Sequence, residues 1–242
     1  MTNPFMQRRR PIGLYLFYIV AGLVAFVVVG LVVQVARMPH HKPDTAQDYR
    51  PPAAIPPPGS QTGVGDGPLQ EVAGTRQVND VAVGYPHTTV GAVSAAAEYW
   101  SQIASTLDPA RAAQIAQAVA DPSWKNGVQE LAQGPVNTRK GLGLATSGPV
   151  PAGASVLLTC AEYQVQQVTA DSVTVLLLGY YQTTLPGQNA QNRIGVFPLQ
   201  MHWAAGDWKM PEPTLSADYH DLETQPGSSE AAALGWQPLS AA

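Results

Sequence analysis

The chain has 242 residues, with 13 lysines and arginines against 17 aspartates and glutamates, for a net charge of −4. Setting aside Arg8, Arg9 and Arg10 leaves 10 basic against 17 acidic residues, about −7, which excludes nucleic-acid binding through a basic face. A single cysteine, Cys160, excludes an intramolecular disulfide, and five histidines without a cysteine pair give no zinc pattern.

Residues 12–36 form an apolar run in which only Gln34 is strongly polar, directly behind the three arginines. As a helix, roughly 25 residues reach about 37 Å, enough to cross a hydrocarbon core of about 30 Å with some tilt. The positive-inside bias then places residues 1–11 in the cytoplasm and the rest outside it. A cleaved signal peptide fits poorly, because the run is too long and Gln34-Val35-Ala36-Arg37 is a poor cleavage site. Residues 37–77 hold Pro51-Pro52, Pro56-Pro57-Pro58 and four closely spaced glycines, and read as a linker too poor in large apolar residues to fold.

Residues 78–214 read as one folded domain. Gly84-Tyr85-Pro86-His87 is a turn, and Thr88 or Thr89 caps a helix. Val90, Val93, Ala97, Trp100, Ala104 and Leu107 recur at helical spacing. Asp108-Pro109 restarts a helix with Ala112, Ile115, Ala116 and Val119 inward. Asp121-Pro122 repeats the signal for a third helix over residues 123–133, ended by Gly134-Pro135. Residues 155–168 and 172–184 then read as two strands of a hairpin around Thr169-Ala170-Asp171, in a sheet with one open face. A third strand covers residues 194–203, where Pro198 marks an edge, a bulge or an interruption. Ala204-Ala205-Gly206-Asp207 turns the chain into Trp208-Lys209-Met210. Helices followed by an antiparallel sheet give an α+β fold. Residues 215–242 read as a low-complexity tail, mostly irregular, with the alternative that Leu234 and Trp236 pack onto the domain or a partner.

The candidate interface or pocket residues are aromatic. Trp100 lies on the apolar stripe of the first helix. Tyr180 and Tyr181 are adjacent on a strand and point to opposite faces. Trp203 and Trp208 flank the closing turn. Glu162 is the strand carboxylate, two residues from Cys160 and so on its side, while His202 faces solvent. Arg139-Lys140 reads as a solvated loop pair, and Gly141, Gly143 and Gly148 lack phosphate-loop spacing. No catalytic residue, metal ligand or cofactor site follows from these motifs, so a non-enzymatic protein without cofactor is expected.

The arginine-rich start, single apolar span, Pro/Gly linker, helices and then strands together resemble the bitopic scaffold proteins of type IV secretion and conjugation machinery. The segment His202-Trp203-Ala204-Ala205-Gly206-Asp207-Trp208-Lys209 is similar to the final hairpin of their exported domains. The opening Gly84-Tyr85-Pro86-His87-Thr88-Thr89-Val90-Gly91-Ala92-Val93-Ser94-Ala95-Ala96 resembles an uncharacterised family of actinobacterial membrane proteins. The resemblance implies a nuclear transport factor 2-like domain, a curved antiparallel sheet wrapped around a helix. It implies an assembly protein in the cell membrane, extracytoplasmic beyond the anchor. Its partners would be other membrane-complex subunits, with self-association open. The alternative is a tethered module holding a small apolar ligand in the cone of the sheet, lined by Trp100 and Tyr180 or Tyr181.

Overall fold

In the computed structural model, which describes residues 68–214 and 217–240, helix α1 (Thr89–Ala104) opens on a threonine cap. Thr88 Oγ1 accepts the Gly91 N–H at 3.0 Å, filling one of the donors that a helix start leaves open. Seven consecutive positions, Gly91 through Ala97, are buried, so the helix is enclosed rather than laid on a surface. Its small residues let neighbours approach closely; a Cβ on Gly91 would meet Pro86 O at 2.0 Å. Helix α2 (Pro109–Val119) begins as its sequence indicates, with Asp108 Oδ1 accepting the Ala110 N–H at 2.9 Å and proline in the first turn.

Helix α3 (Gly127–Gly141) corrects the expected boundaries. Asp121-Pro122 forms a turn instead of a helix start: Asp121 Oδ1 accepts from Ser123 N at 2.7 Å, and its carbonyl accepts from Trp124 N at 3.0 Å. The helix starts later and runs through Pro135. Proline removes the one amide that would have bonded the Leu131 carbonyl, a loss that tertiary bonds can offset. Those bonds come from Arg139, which is 1% exposed and not the solvated loop residue expected. Its guanidinium donates to Leu107 O at 2.6 Å and Gly148 O at 2.9 Å, tying the second half of α3 to two loops.

The strands begin before residue 78, so the folded unit starts inside the segment read as linker. They are β1 (Leu69–Gln70), β2 (Arg76–Val78), β3 (Val81–Val83), β4 (Ser155–Gln166), β5 (Ser172–Thr184), β6 (Gln191–Ala204), β7 (Asp207–Lys209) and β8 (Gln237–Ser240). Strands β2 and β3 form a separate ribbon whose two turn residues, Asn79 and Asp80, both have positive φ, the turn that suits strand twist. The other six form one sheet in the order β1-β8-β4-β5-β6-β7, antiparallel except where β1 meets β8. Helices packed on this strongly curled sheet give the α+β architecture.

Pro198 sits where an edge tolerates it. Trp203 N bonds Asp171 O at 2.8 Å, so odd-numbered residues of β6 face β5 with their amides, and even-numbered ones face away. Strand β7 covers only His202 through Ala204 on that outer side, so proline at 198 forfeits no bond to β5.

The sheet has no uncovered face along β5, where Val173 through Gly179 are all buried. Val173, Val175 and Leu177 join the core around α1; Leu176 and Leu178 join a second core with Val196, Ala231 and Trp236. The second layer comes from the segment expected to be an irregular tail. It forms a 3-10 turn (His220–Leu222), helix α4 (Ser229–Ala233) and β8. Trp236 is 2% exposed, and its Nε1 donates to Leu222 O at 3.0 Å. The alternative in which Leu234 and Trp236 pack onto the domain is the arrangement found.

The span at residues 12–36 lies outside the described residues. Among the described residues, no helix is long and apolar enough to cross a membrane.

Candidate functional site

The structure brings two of the five aromatic candidates together and leaves the other three elsewhere. Trp203 and Trp208 come together at one end of the sheet because a two-residue turn, Ala205 and Gly206, both at positive φ, sets them opposite each other in β6 and β7. Their rings meet edge to face at 5.5 Å. His87, from the loop before α1, stacks on Trp203 at 4.0 Å with planes 7° apart. His87 Nε2 lies 2.9 Å from Ala170 O and 3.0 Å from Asp171 Oδ1, two acceptors, so this nitrogen carries the proton. Trp208 is 1% exposed and donates from Nε1 to Pro86 O at 2.9 Å, so it is the floor of the cluster, and half-buried Trp203 with His87 is its accessible part.

Beneath this cluster lies a carboxylate that sequence reasoning passed over. Asp207 is fully buried and accepts amides from Gly84 at 2.9 Å, Tyr85 at 3.1 Å and its neighbour Trp208 at 2.9 Å. Lys209 Nζ stands 3.3 Å away and also donates to Ala118 O at 2.7 Å. Arg76 approaches at 3.7 Å. Saturated in this way, Asp207 fastens the β2–β3 ribbon and α2 to the sheet rather than offering a base to a substrate. Its position in a tight hairpin gave no signal, since Gly-Asp reads only as a turn.

His202 is half-exposed, as expected, but it is not free. Its Nδ1 donates to Asp121 Oδ2 at 2.6 Å. Burial pushes the Asp121 carboxyl up, and the hydrogen bonds from Ser123 and His202 outweigh it, leaving the pKa below the ordinary carboxylate value.

Glu162 and Cys160 were expected on one side of β4 and are on opposite sides. The pairing register shifts between them, so Ala161 is an extra residue that inverts the alternation. Gly179 accommodates the shift: a Cβ there would meet Thr159 O at 2.3 Å. Cys160 therefore faces α1, where Ser101 Oγ lies 3.5 Å from its sulfur. Burial, more than the opposing Ser101 contact, raises its thiol to about 11, the reverse of what a nucleophile needs. Glu162 faces the C-terminal layer, 5% exposed, with Oε1 accepting from Gly227 N at 2.9 Å and Oε2 without a partner.

The remaining aromatics are apart from one another. Trp100 meets Phe197 with ring centres 6.5 Å apart, and its buried Nε1 has no hydrogen-bond partner. Tyr180 and Tyr181 do point to opposite faces: Tyr180 bonds Gln225 of the C-terminal layer, and Tyr181 bonds Thr138 of α3. A cleft of about 210 Å³ opens beside α1, lined by Glu71, Glu98, Ser101, Leu158 and Cys160. Burial, then the charge of Glu98, raises the Glu71 pKa. This cleft is polar and does not include Trp100 or either tyrosine. Among the described residues, no group of three or more histidine, cysteine or acidic side chains could hold a metal ion.

Fold and site together define an α+β domain with a curled sheet, a buried charged hub and an aromatic surface cluster. Residues 34–230 match the family described as Domain of unknown function (DUF8175), and the chain belongs to that family. No curated protein and no solved structure matches it.

Proposed function

We propose that this chain is a bitopic membrane protein with a nuclear transport factor 2-like extracytoplasmic domain. It serves as a non-enzymatic assembly component of a secretion or conjugative-transfer machine. The observation that carries the reading is the filled concave side of the sheet. Ala92, Ala95, Ala96 and Tyr99 of α1 are fully buried against it, occupying the space in which a small apolar ligand would sit. Two buried carboxylates are committed to structural bonds, Asp207 to three amides and Asp121 to His202. The apolar run at residues 12–36 behind three arginines supports the anchor and its orientation. Trp203, half-buried and stacked with exposed His87, is suited to a protein partner, because aromatic anchors dominate binding energy at interfaces.

Crosslinking followed by affinity capture of the full chain from native membranes tests the proposal. Recovery of other membrane-complex subunits, reduced at least tenfold by Trp203→Ala, is the expected result. Recovery of the chain alone, with a bound apolar molecule detected by mass spectrometry, overturns it.

A further inference from the structure

Strand β6 is 14 residues long, and β7 pairs with only a small part of its outer side. The odd-numbered amides of β6 bond β5, and the even-numbered ones point the other way, where β7 meets His202 through Ala204. Two prolines stop that ladder. Continuing the register sets Pro211 opposite Gln200, and neither Pro211 nor Pro198 has an amide to give. There the departing chain bonds β6 through side chains instead, with Thr214 Oγ1 2.8 Å from Gln200 Oε1. Upstream of Pro198, the outward amides and carbonyls of Asn192, Ile194 and Val196 have no hydrogen-bond partner among the described residues. Other margins of the sheet are short or covered: β1 has two residues, and on the free half of β4 the outward Leu158 amide donates to Ser105 Oγ at 2.9 Å. A bare row of amides recruits another strand, which is why folded proteins guard long edges with proline. Here the prolines stand only at the β7 end, and Gln191, Asn192 and Arg193 at the other end are exposed.

The side chains along this stretch define the strand that fits. An added antiparallel strand bonds the even residues. The odd ones, Arg193, Gly195 and Phe197, then fall in the close pairs where side chains meet most directly. Arg193 has no acidic partner among the described residues. The half-buried Phe197 ring lies over Gly195, close enough that a Cβ there would meet it at 3.1 Å. The matching strand carries an acidic residue opposite Arg193 and an apolar one two positions away, against that ring. Strand β6 itself holds no acidic residue. Pairing it with β6 of a second copy therefore gives neither arginine a counter-charge and brings two like charges into one seam. Charge favours a different polypeptide as the occupant.

We infer that the free edge of β6 from Gln191 to Phe197 receives an extended segment of another polypeptide, acidic opposite Arg193 and apolar over Phe197, which joins the sheet as a seventh strand. The inference rests on the assembly reading only for that polypeptide being a membrane-complex subunit. It adds a backbone-paired contact at the far end of β6 from Trp203.

Photocrosslinking tests it. The full-length chain in native membranes carries benzoylphenylalanine in place of Asn192, with the same group in place of exposed Gln117 of α2 as the control. The expected result is a crosslink to an acidic segment of another polypeptide, about fivefold or more above the control. Ile194→Pro removes an outward amide and, like Pro198, none that bonds β5, and should cut the crosslink about tenfold. Arg193→Glu leaves every backbone bond in place and keeps the test decisive should the proline variant fail to fold; it should cut the crosslink about threefold or more. A signal no higher than at Gln117, a crosslinked peptide from this chain itself, or a signal that Arg193→Glu leaves unchanged overturns the inference. Capture of subunits through Trp203 without a crosslink at Asn192 overturns this edge contact alone. An edge crosslink to a polypeptide outside any membrane complex upholds the contact and removes the assembly reading.

Discussion

Replacing Trp236 with alanine probes whether the C-terminal layer belongs to the same cooperative unit as the helices. The ring is buried among Leu176, Leu178, Val196 and Ala231, and its Nε1 bonds the Leu222 carbonyl. Emptying a buried tryptophan site costs about 3–5 kcal/mol, because lost transfer energy adds to an incompletely collapsed cavity. Leaving a buried carbonyl without its donor costs about 1 kcal/mol more. The sum is a large part of the roughly 5–15 kcal/mol that holds a domain together. Equilibrium urea unfolding of the detergent-solubilised chain, followed by circular dichroism, should show one transition moved to lower urea by about 4–6 kcal/mol in stability. Trp236→Phe keeps most of the apolar volume and loses only the hydrogen bond and part of the packing, about 1–2 kcal/mol. A loss under about 1 kcal/mol for Trp236→Ala, or a separate early transition that leaves the main midpoint in place, refutes the reasoning.

Other expectations follow from the same geometry. Arg139→Met should destabilise by about 3 kcal/mol, because it strips the donor from the buried Leu107 carbonyl and breaks the tie to Gly148, and Arg139→Lys should recover little, since one ammonium cannot span the diverging acceptors; thermal unfolding compares the three. Asp121 has a folded pKa below its unfolded value, so its contribution is present above the unfolded pKa and is lost as pH falls through the folded one. Unfolding measured from pH 6 to pH 2 should therefore show an acid limb that Asp121→Asn flattens, and His202→Ala should shift that limb to higher pH. Cys160, with its thiol raised to about 11, should react with iodoacetamide at pH 8 roughly a hundredfold more slowly than in urea, read by mass spectrometry.

Much of the helical half was legible because local chemistry decides it. Thr88 and Asp108 each precede an apolar stripe and cap a helix as the local pattern indicates, whereas Asp121 in the same pattern makes a turn. The strand hairpin was legible for the same reason, through β-branched and aromatic runs broken at Thr169-Ala170-Asp171. The misreadings arise where distant contacts override local preference. Pro135 would end an isolated helix, but Arg139 reaches Leu107 and Gly148 and holds the next turn. The run Val173-Thr174-Val175-Leu176-Leu177-Leu178 carried a sign of burial on both faces that the one-open-face reading overlooked. Its second cover lies in a segment so rich in Ser, Gly and Asp that only Trp236 betrays it. The parity error at Glu162 has a different origin. A bulge is a single added residue, visible in sequence only through the small Gly179 opposite Cys160. Among the aromatics, pairing of Trp203 with Trp208 was within reach of the turn between them; His87 joined them from 116 residues away, a closure that local patterns do not carry.

The parallel pairing of β1 with β8 has a mechanical consequence. Leu69 faces Leu239, Gln70 faces Ser240, and Glu71 N bonds Ser240 O at 2.9 Å. Both strands point the same way, so a pull on the incoming end of β1 against the outgoing end of β8 slides one along the other. Sliding strains the whole row of bonds at once, whereas peeling breaks them in turn. Tension along the backbone on the N-terminal side is therefore met in shear, at the seam where the two ends of the folded unit lie side by side.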